Sequence, residues 1–294
     1  MLGAIIGDIA GSKYEFNNYR NEDVELLTKG CFFTDDTVCT IANMDWLLHA
    51  KKKNGQTATE FLRKWTRKYP HAGYGGRFFN WVHCLEPKPY GSFGNGSAMR
   101  ISPVAIAAKD LKDLKKLSDT FTEITHNHPE GMKGALTIAT CIYMALNHKD
   151  KNEIADYAVS QYPEIKNLRF KQLKETYRFN ETCQGSVPQA IYCFLISMNF
   201  EDCIKKTISI GGDCDTTSAM SGAIAEAFYG IPEKIVQKAL TFLDPEMVQI
   251  IKEFYSYPFE GLKNREKQES IYLAKKGKVY RVKNTSSMDR EKTK

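Results

Sequence analysis

Apolar residues recur three and four positions apart along most of this chain, the period of an amphipathic helix. The pattern predicts helices over 36–52, 58–69, 103–109, 111–125, 129–147, 152–161, 187–198, 200–208, 216–229, 233–243 and 245–255. The punctuation agrees: Thr34 is placed to cap the first, Pro70 follows the second, and Gly230 with Pro232 closes the helix over 216–229. Residues 3–11 read as a small-residue, helix-like start. From 71 to 97 no period holds, and Gly and aromatic residues dominate. This predicts a long ordered loop, a feature that is often functional. Only 271–282 alternates around a Gly-containing turn, as a β-hairpin does. Polar runs precede and follow it, and the end is expected to fray. The architecture expected is all-α: one compact helical domain over 1–262, then a basic C-terminal extension over 263–294 carrying the hairpin.

Composition narrows the class. With 294 residues and 42% hydrophobic content, a sizeable core is expected. No run reaches the roughly 18 apolar residues of a membrane span. The start Met1-Leu-Gly-Ala-Ile-Ile-Gly-Asp8 lacks the basic region of a signal peptide. Eight cysteines without a CxxC pair point to reduced core thiols in a cytoplasmic protein, not to disulfides or zinc. The net charge of +6 divides into +7 after residue 262 and −1 before it. The basic character thus belongs to the tail, which reads as a solubilising end. Nucleic-acid contact through that tail is the less favoured alternative. A monomer is expected.

Two acidic motifs change the picture further. Thr34-Asp35-Asp36-Thr37 stands where a loop enters a helix. The bland reading is a capped helix whose first turn carries acids, favoured there by the helix dipole. The sharper one is that Asp35 and Asp36, leaving the helix about 100° apart, line one cleft wall and hold hard cations. Gly211-Gly-Asp213-Cys-Asp215-Thr216 is stronger, because a run of small residues, 218–227, follows it. Such a helix belongs in the core, and buried acids at its mouth need cations or hydrogen bonds. An Asp cap with a structural partner is the alternative. A calcium-binding EF-hand loop is excluded, since its sixth and twelfth positions would be Ser218 and Ile224. Oxygen-only ligands suit Mg2+ or Mn2+, and two acid sets suggest two ions.

Three further features bear on a ligand. Gly91, Ser92, Phe93, Gly94, Asn95, Gly96 and Ser97 form a glycine-rich loop leading toward a helix. It fails both the Walker pattern and the dinucleotide fingerprint, leaving a generic oxyanion cradle or a plain structural turn. Thr125-His126-Asn-His128-Pro129 offers a His-x-His without a third metal ligand, so His126 reads either as bonded to backbone or as a donor to a ribose or phosphate oxygen. His49, His71, His83 and His148 read as structural or surface residues. Glu15 is a lone acid among aromatics, placed for proton transfer if its pKa is raised.

Together these pieces resemble the ADP-ribosylglycohydrolase family, which includes the dinitrogenase-reductase-activating glycohydrolases. The matching segments are Gly7-Asp8-x-x-Gly11-Ser with Tyr14-Glu15, Thr34-Asp-Asp-Thr37, Gly91-Ser-Phe-Gly-Asn-Gly-Ser-Ala-Met-Arg100 with Pro103, Thr125-His-x-His-Pro129, and Gly211-Gly-Asp-x-Asp-Thr-Thr217, spanning about 1–232. The resemblance implies an orthogonal helical domain and a two-metal hydrolase that removes ADP-ribose from a modified acceptor, such as an arginine or serine side chain, at the C1″ N- or O-glycosidic bond. It implies Thr34, Asp35 and Asp36 on one side of a Mg2+ or Mn2+ pair, and Asp213, Asp215 and Thr216 on the other, with Asp215 bridging. Glu15 is then on a mobile flap, the 91–97 loop on the diphosphate and ribose, and His126 near the ADP-ribose. By the same analogy the metals bind the distal ribose hydroxyls and organise a water, and carboxylates stabilise an oxocarbenium-like state. ADP-ribosylated nucleic acid, a modified small molecule, or a non-catalytic ADP-ribose-binding member are the alternatives.

Overall fold

The computed structural model describes residues 1–263 of the chain. All regular structure among them is helical: α1 (Leu2–Ser12), α2 (Asp35–His49), α3 (Gly55–Lys68), α4 (Gly76–His83), α5 (Gly96–Met99), α6 (Ser102–Ala107), α7 (Leu111–Glu123), α8 (Pro129–Leu146), α9 (Lys151–Gln161), α10 (Phe170–Thr176), α11 (Cys183–Leu195), α12 (Phe200–Ser209), α13 (Cys214–Tyr229), α14 (Glu233–Leu240), α15 (Pro245–Ser256) and α16 (Glu260–Lys263). Short 3-10 turns occupy Glu15–Asn17 and Pro163–Asn167. One isolated bridge joins Gly94 to Thr182, and no strand forms among the described residues. The hairpin expected over 271–282 lies outside them.

The main revision falls between 71 and 97. The expected loop contains a helix, α4, whose Phe78, Trp81 and Val82 are buried. Its eight residues are too few, beside so many glycines, to impose a visible period. α11 also starts earlier than its apolar period suggests. The Thr182 hydroxyl accepts from the Gly185 amide and fixes the first turn ahead of Pro188.

α13 is the axis of the fold. Every residue from Cys214 to Ala227 is buried, with α1, α8, α11 and α12 packed around it. α1 approaches closest, because glycine removes the side chain at the contact. A Cβ on Gly7 would stand 2.0 Å from the Ser218 carbonyl oxygen, and one on Gly11 would stand 2.5 Å from the Asp215 Cα. This backbone-to-backbone seam puts the Asp8 side of α1 against the mouth of α13. Gly7→Ala is therefore expected to force the helices apart, costing about 1–3 kcal/mol. Thermal unfolding of the variant should show Tm lowered by several degrees; an unchanged Tm would refute the seam.

The far end of α2 is tied down separately. Buried Asp45 accepts from Trp65 Nε1 at 2.7 Å and Lys64 Nζ at 2.8 Å, both on α3, and bonds His49 Nδ1 at 2.7 Å. His49 Nε2 reaches Glu253 on α15 at 2.8 Å. With its C-terminal half fixed, α2 presents its N-terminus, Asp35 and Asp36, toward α13.

Candidate active site

The site is assembled where the start of α2, the start of α13 and the end of α1 meet. Asp8 organises it from behind. Its carboxylate accepts from the Thr34 amide at 2.9 Å, the Thr34 hydroxyl at 2.7 Å, the Thr37 amide at 3.0 Å and the Thr37 hydroxyl. Thr34 does occupy the cap position of α2, but its hydroxyl makes no cap bond within the helix. An acid from another helix holds that helix start instead. Thr216 Oγ1 donates to Asp36 Oδ2 at 3.1 Å, and Asn95 Nδ2 donates to Asp213 Oδ2 at 2.6 Å.

Two carboxylate groups result. One oxygen each from Asp8, Asp36 and Asp215 lie within 4.8 Å of one another, as do oxygens of Glu15, Asp213 and Asp215. Asp215 belongs to both. Asp36 Oδ1 is buried with no hydrogen-bond partner among the described residues. Nor does any Lys, Arg or His there form an ion pair with one of these acids.

The electrostatics follow from that geometry. Desolvation pushes Asp35, Asp36 and Asp215 well above the usual carboxylate range, and the neighbouring carboxylates push the same way. Burial raises Asp8 to about 6, against the pull of the Thr37 and Thr34 hydrogen bonds. Asp213 is raised to about 6 by burial. Glu15 is raised to about 8, first by desolvation and then by the charge of Asp215. So many acids in one place repel when ionised, and bound hard cations are the usual compensation. The donor set of carboxylates and hydroxyls, the orphaned Asp36 oxygen and the shared Asp215 fit divalent ions with oxygen preference.

These groups open onto a cleft of about 420 Å3. Glu15, Thr34, Asp35, Asp213, Asp215 and Thr216 contribute one part of its lining, and Ser92, Gly94, Asn95, Gly96 and His126 another. Asp36 lies behind this surface, 1% exposed. Three members of the glycine-rich loop are not on the lining. The Gly91 amide donates to Asn127 Oδ1, Phe93 packs edge-on against His128, and Ser97 is buried with its hydroxyl donating to the Gly131 carbonyl. The Gly94 and Asn95 amides are likewise spent on Ser92 Oγ and the Glu181 carbonyl. The cradle expected of this loop is thus partly committed to its own chain.

Burial, and then the Arg100 charge, holds His126 well below its usual pKa, so its ring is neutral. Its Nδ1 faces the Arg100 guanidinium at 3.4 Å and the Thr125 hydroxyl at 2.7 Å. Because a guanidinium only donates, we assign the ring proton to Nε2. That nitrogen lies 3.4 Å from where a Cβ on Gly96 would be. His128 does something different: its Nδ1 accepts from the Glu130 amide and caps α8.

Several lining residues carry no sequence signal of their own: Arg77, Tyr90, Phe16, Phe179 and Glu181. His71, expected to be structural or on the surface, also lines the cleft, because the 71–76 segment folds back over the start of α2. Gly73 comes near Asp35. Asp8 does carry a signal, since an acid inside an apolar, glycine-spaced helix has to have a partner.

Known proteins resemble this chain over most of its length. The family model described as ADP-ribosylglycohydrolase matches residues 1–259. ADP-ribosylhydrolase ARH3 of Mus musculus is 28% identical, the match covering 84% of this chain and 88% of that protein. ADP-ribosylarginine hydrolase Tri1 of Pseudomonas putida is 27% identical, over 81% and 72% respectively. A solved structure described as an ADP-ribosylglycohydrolase-related protein complex overlays with a TM-score of 0.65 at 23% identity, covering 85% of this chain and 93% of that one, a likeness of fold. With an acid-lined cleft at the junction of α1, α2 and α13 and a family match that runs nearly the length of the helical body, this chain belongs to the ADP-ribosylglycohydrolase family and is a hydrolase that removes ADP-ribose from a modified acceptor.

Proposed function

We propose that the acids hold two Mg2+ or Mn2+ ions, with Thr34, Asp35 and Asp36 on one side, Asp213 and Thr216 on the other, and Asp215 shared between them. The observation that carries this reading is the presence of Asp215 in both carboxylate groups. Asp8 is read as an orienting residue and not a ligand, because its oxygens are taken up by Thr34 and Thr37. When bound, the ions supply positive charge that polarises a substrate oxygen and eases ionisation of water.

The chain's own groups do the rest. The Nε2 proton of His126 donates to a ribose or phosphate oxygen. Arg77 and Arg100 give this part of the cleft the positive charge that a diphosphate requires. Glu15, beside Asp213 and Asp215, passes a proton between the attacking water and the departing acceptor atom. Gly91, Phe93 and Ser97 shape the loop that carries Ser92, Gly94, Asn95 and Gly96 into the cleft.

The substrate proposed is an ADP-ribosylated protein, and the likeness to Tri1, an ADP-ribosylarginine hydrolase, supports arginine as the first acceptor to test. Eight free cysteines support a reducing, cytoplasmic setting. The helical body, 1–262, is proposed as the working domain, with 263–294 an extension to it. The test is a panel of ADP-ribosyl-arginine, ADP-ribosyl-serine and ADP-ribosylated nucleic-acid substrates, assayed for free ADP-ribose with each metal and with chelator, beside a calorimetric metal titration. The expected result is release from a protein substrate, abolished by chelator, with two ions bound per chain. Chelator-resistant release, or a stoichiometry of one, would overturn the two-metal reading.

A further inference from the structure

Glu15 sits on a turn of only three residues, Glu15–Asn17, followed by Asn18 in the left-handed region at φ 47°. A turn this short does not hold itself. Phe16 beside it is 82% exposed, so little burial fixes it. Glu15 also faces Asp213 and Asp215 within 4.8 Å, so where the turn stands decides where its carboxyl meets theirs. Something else must hold the Glu15 segment over the cleft.

We propose that Arg20 is the positioning residue for Glu15, a guanidinium staple joining the end of the Glu15 turn to the Asp213 loop and to the 177–182 loop. Its fork is spent on neutral oxygens from separate segments. It donates to the Ile210 carbonyl, directly before Gly211-Gly212-Asp213. It donates to the Tyr177 carbonyl at 2.5 Å, two residues before Phe179, and weakly to the Leu173 carbonyl at 3.4 Å. It also donates to Asn18 Oδ1 at 2.5 Å, closing the turn on itself. Arg20 has no acidic partner among the described residues, so the planar fork, not an ion pair, explains its place.

The receiving surface is built for it. Gly211 and Gly212 have φ of 68° and 73°. A Cβ on Gly211 would stand 2.7 Å from Asn18 Oδ1 and 2.9 Å from Arg20 Cζ. The glycine pair thus serves the approach of Arg20 as well as the turn into α13. A second, weaker contact lies at the other end of the turn, where Phe16 stacks on Phe179 with centroids 6.2 Å apart and 23° between planes. Arg20 is the fixed end of the flap and the Phe16–Phe179 pair its free end. One loop, 177–182, receives both.

The inference rests on Glu15 being a working group, so Glu15→Gln is run beside Arg20→Ala and Arg20→Lys in the full chain. In Arg20→Ala and Arg20→Lys, kcat is expected to fall by about 10–100-fold, as when a supporting partner is lost. KM, Mg2+ affinity and Tm should stay near the parent values. Lysine keeps the charge but has one nitrogen in place of the planar two-nitrogen fork that reaches Leu173, Ile210, Asn18 and Tyr177, and millimolar guanidinium should partly restore Arg20→Ala. Unchanged kcat in both Arg20 variants, or a loss matched by lower Tm and weaker Mg2+ binding, would overturn the staple. If Glu15→Gln keeps full activity, the role given to Glu15 fails instead, whatever the Arg20 variants do.

Discussion

Asp215→Asn is expected to lower ADP-ribose release by roughly 10²–10³-fold or more, about the 2.7–4 kcal/mol that one preorganised charge contributes to a transition state, while making the metal-free protein more stable. Both effects have the same origin. Asp215 is common to the two carboxylate groups, so its loss weakens both proposed ion sites together. Yet without metal it is an acid pushed well above its usual pKa by burial and by Asp213. An amide of the same shape relieves that repulsion, a trade of activity for stability typical of functional sites. Kinetics with saturating Mg2+ and thermal unfolding in chelator would check the pair. Near-parent activity would remove Asp215 from the reaction. Lost activity with a lower chelated Tm would mean that Asp215 is a structural cap.

The second large effect is on stability against pH. In chelator, the site should lose stability as pH rises from about 4, the unfolded carboxylate range, toward 8. The sign follows from linkage. Asp8 and Asp213 titrate near 6 and Glu15 near 8 in the folded chain, so over this window the native state holds more protons than the unfolded one. Their contribution is present below the unfolded pKa and lost as pH passes the folded values, on the order of a few kcal/mol for the two buried aspartates. Mg2+ replaces those protons, so the gap in Tm between metal-loaded and chelated protein should widen from pH 5 to pH 8. Measuring the gap cancels groups away from the site. One is the buried Met1 amine, which desolvation lowers to about 6 and which acts in the opposite sense from 6 to 8. Another is Asp45, lowered overall by its bonds to Lys64, Trp65 and His49 against the cost of its burial, whose contribution is lost only at acid pH. A gap that is flat or narrows with pH would show that the acids do not hold the metal.

The division of information between chain and fold can be traced through particular residues. The helical period located α3, α7 and α12 to within a few residues, because each has one apolar face long enough to repeat, and α2, α8 and α13 showed instead as long apolar or small-residue runs between caps. It missed α4, where two turns among glycines leave no repeat. Motif chemistry singled out Asp35, Asp36, Asp213, Asp215 and Glu15, since adjacent acids beside small residues are costly without a purpose.

What the chain alone determined, then, is local: the helices, the acids that need a counter-charge, and the small residues of α1 and α13 that permit close contact. Tertiary structure decided which acids share a space. Asp215 joins two groups only because the Gly7 and Gly11 seam brings α1 against α13, and Asp8 becomes the support of the Thr34 turn only where α1 also meets the start of α2. Arg20, Phe179 and Glu181 acquired meaning the same way. A guanidinium's carbonyl partners, 153 to 190 residues distant in sequence, leave no trace in spacing. Backbone carbonyls are the same at every position, so only the folded chain says which of them Arg20 holds.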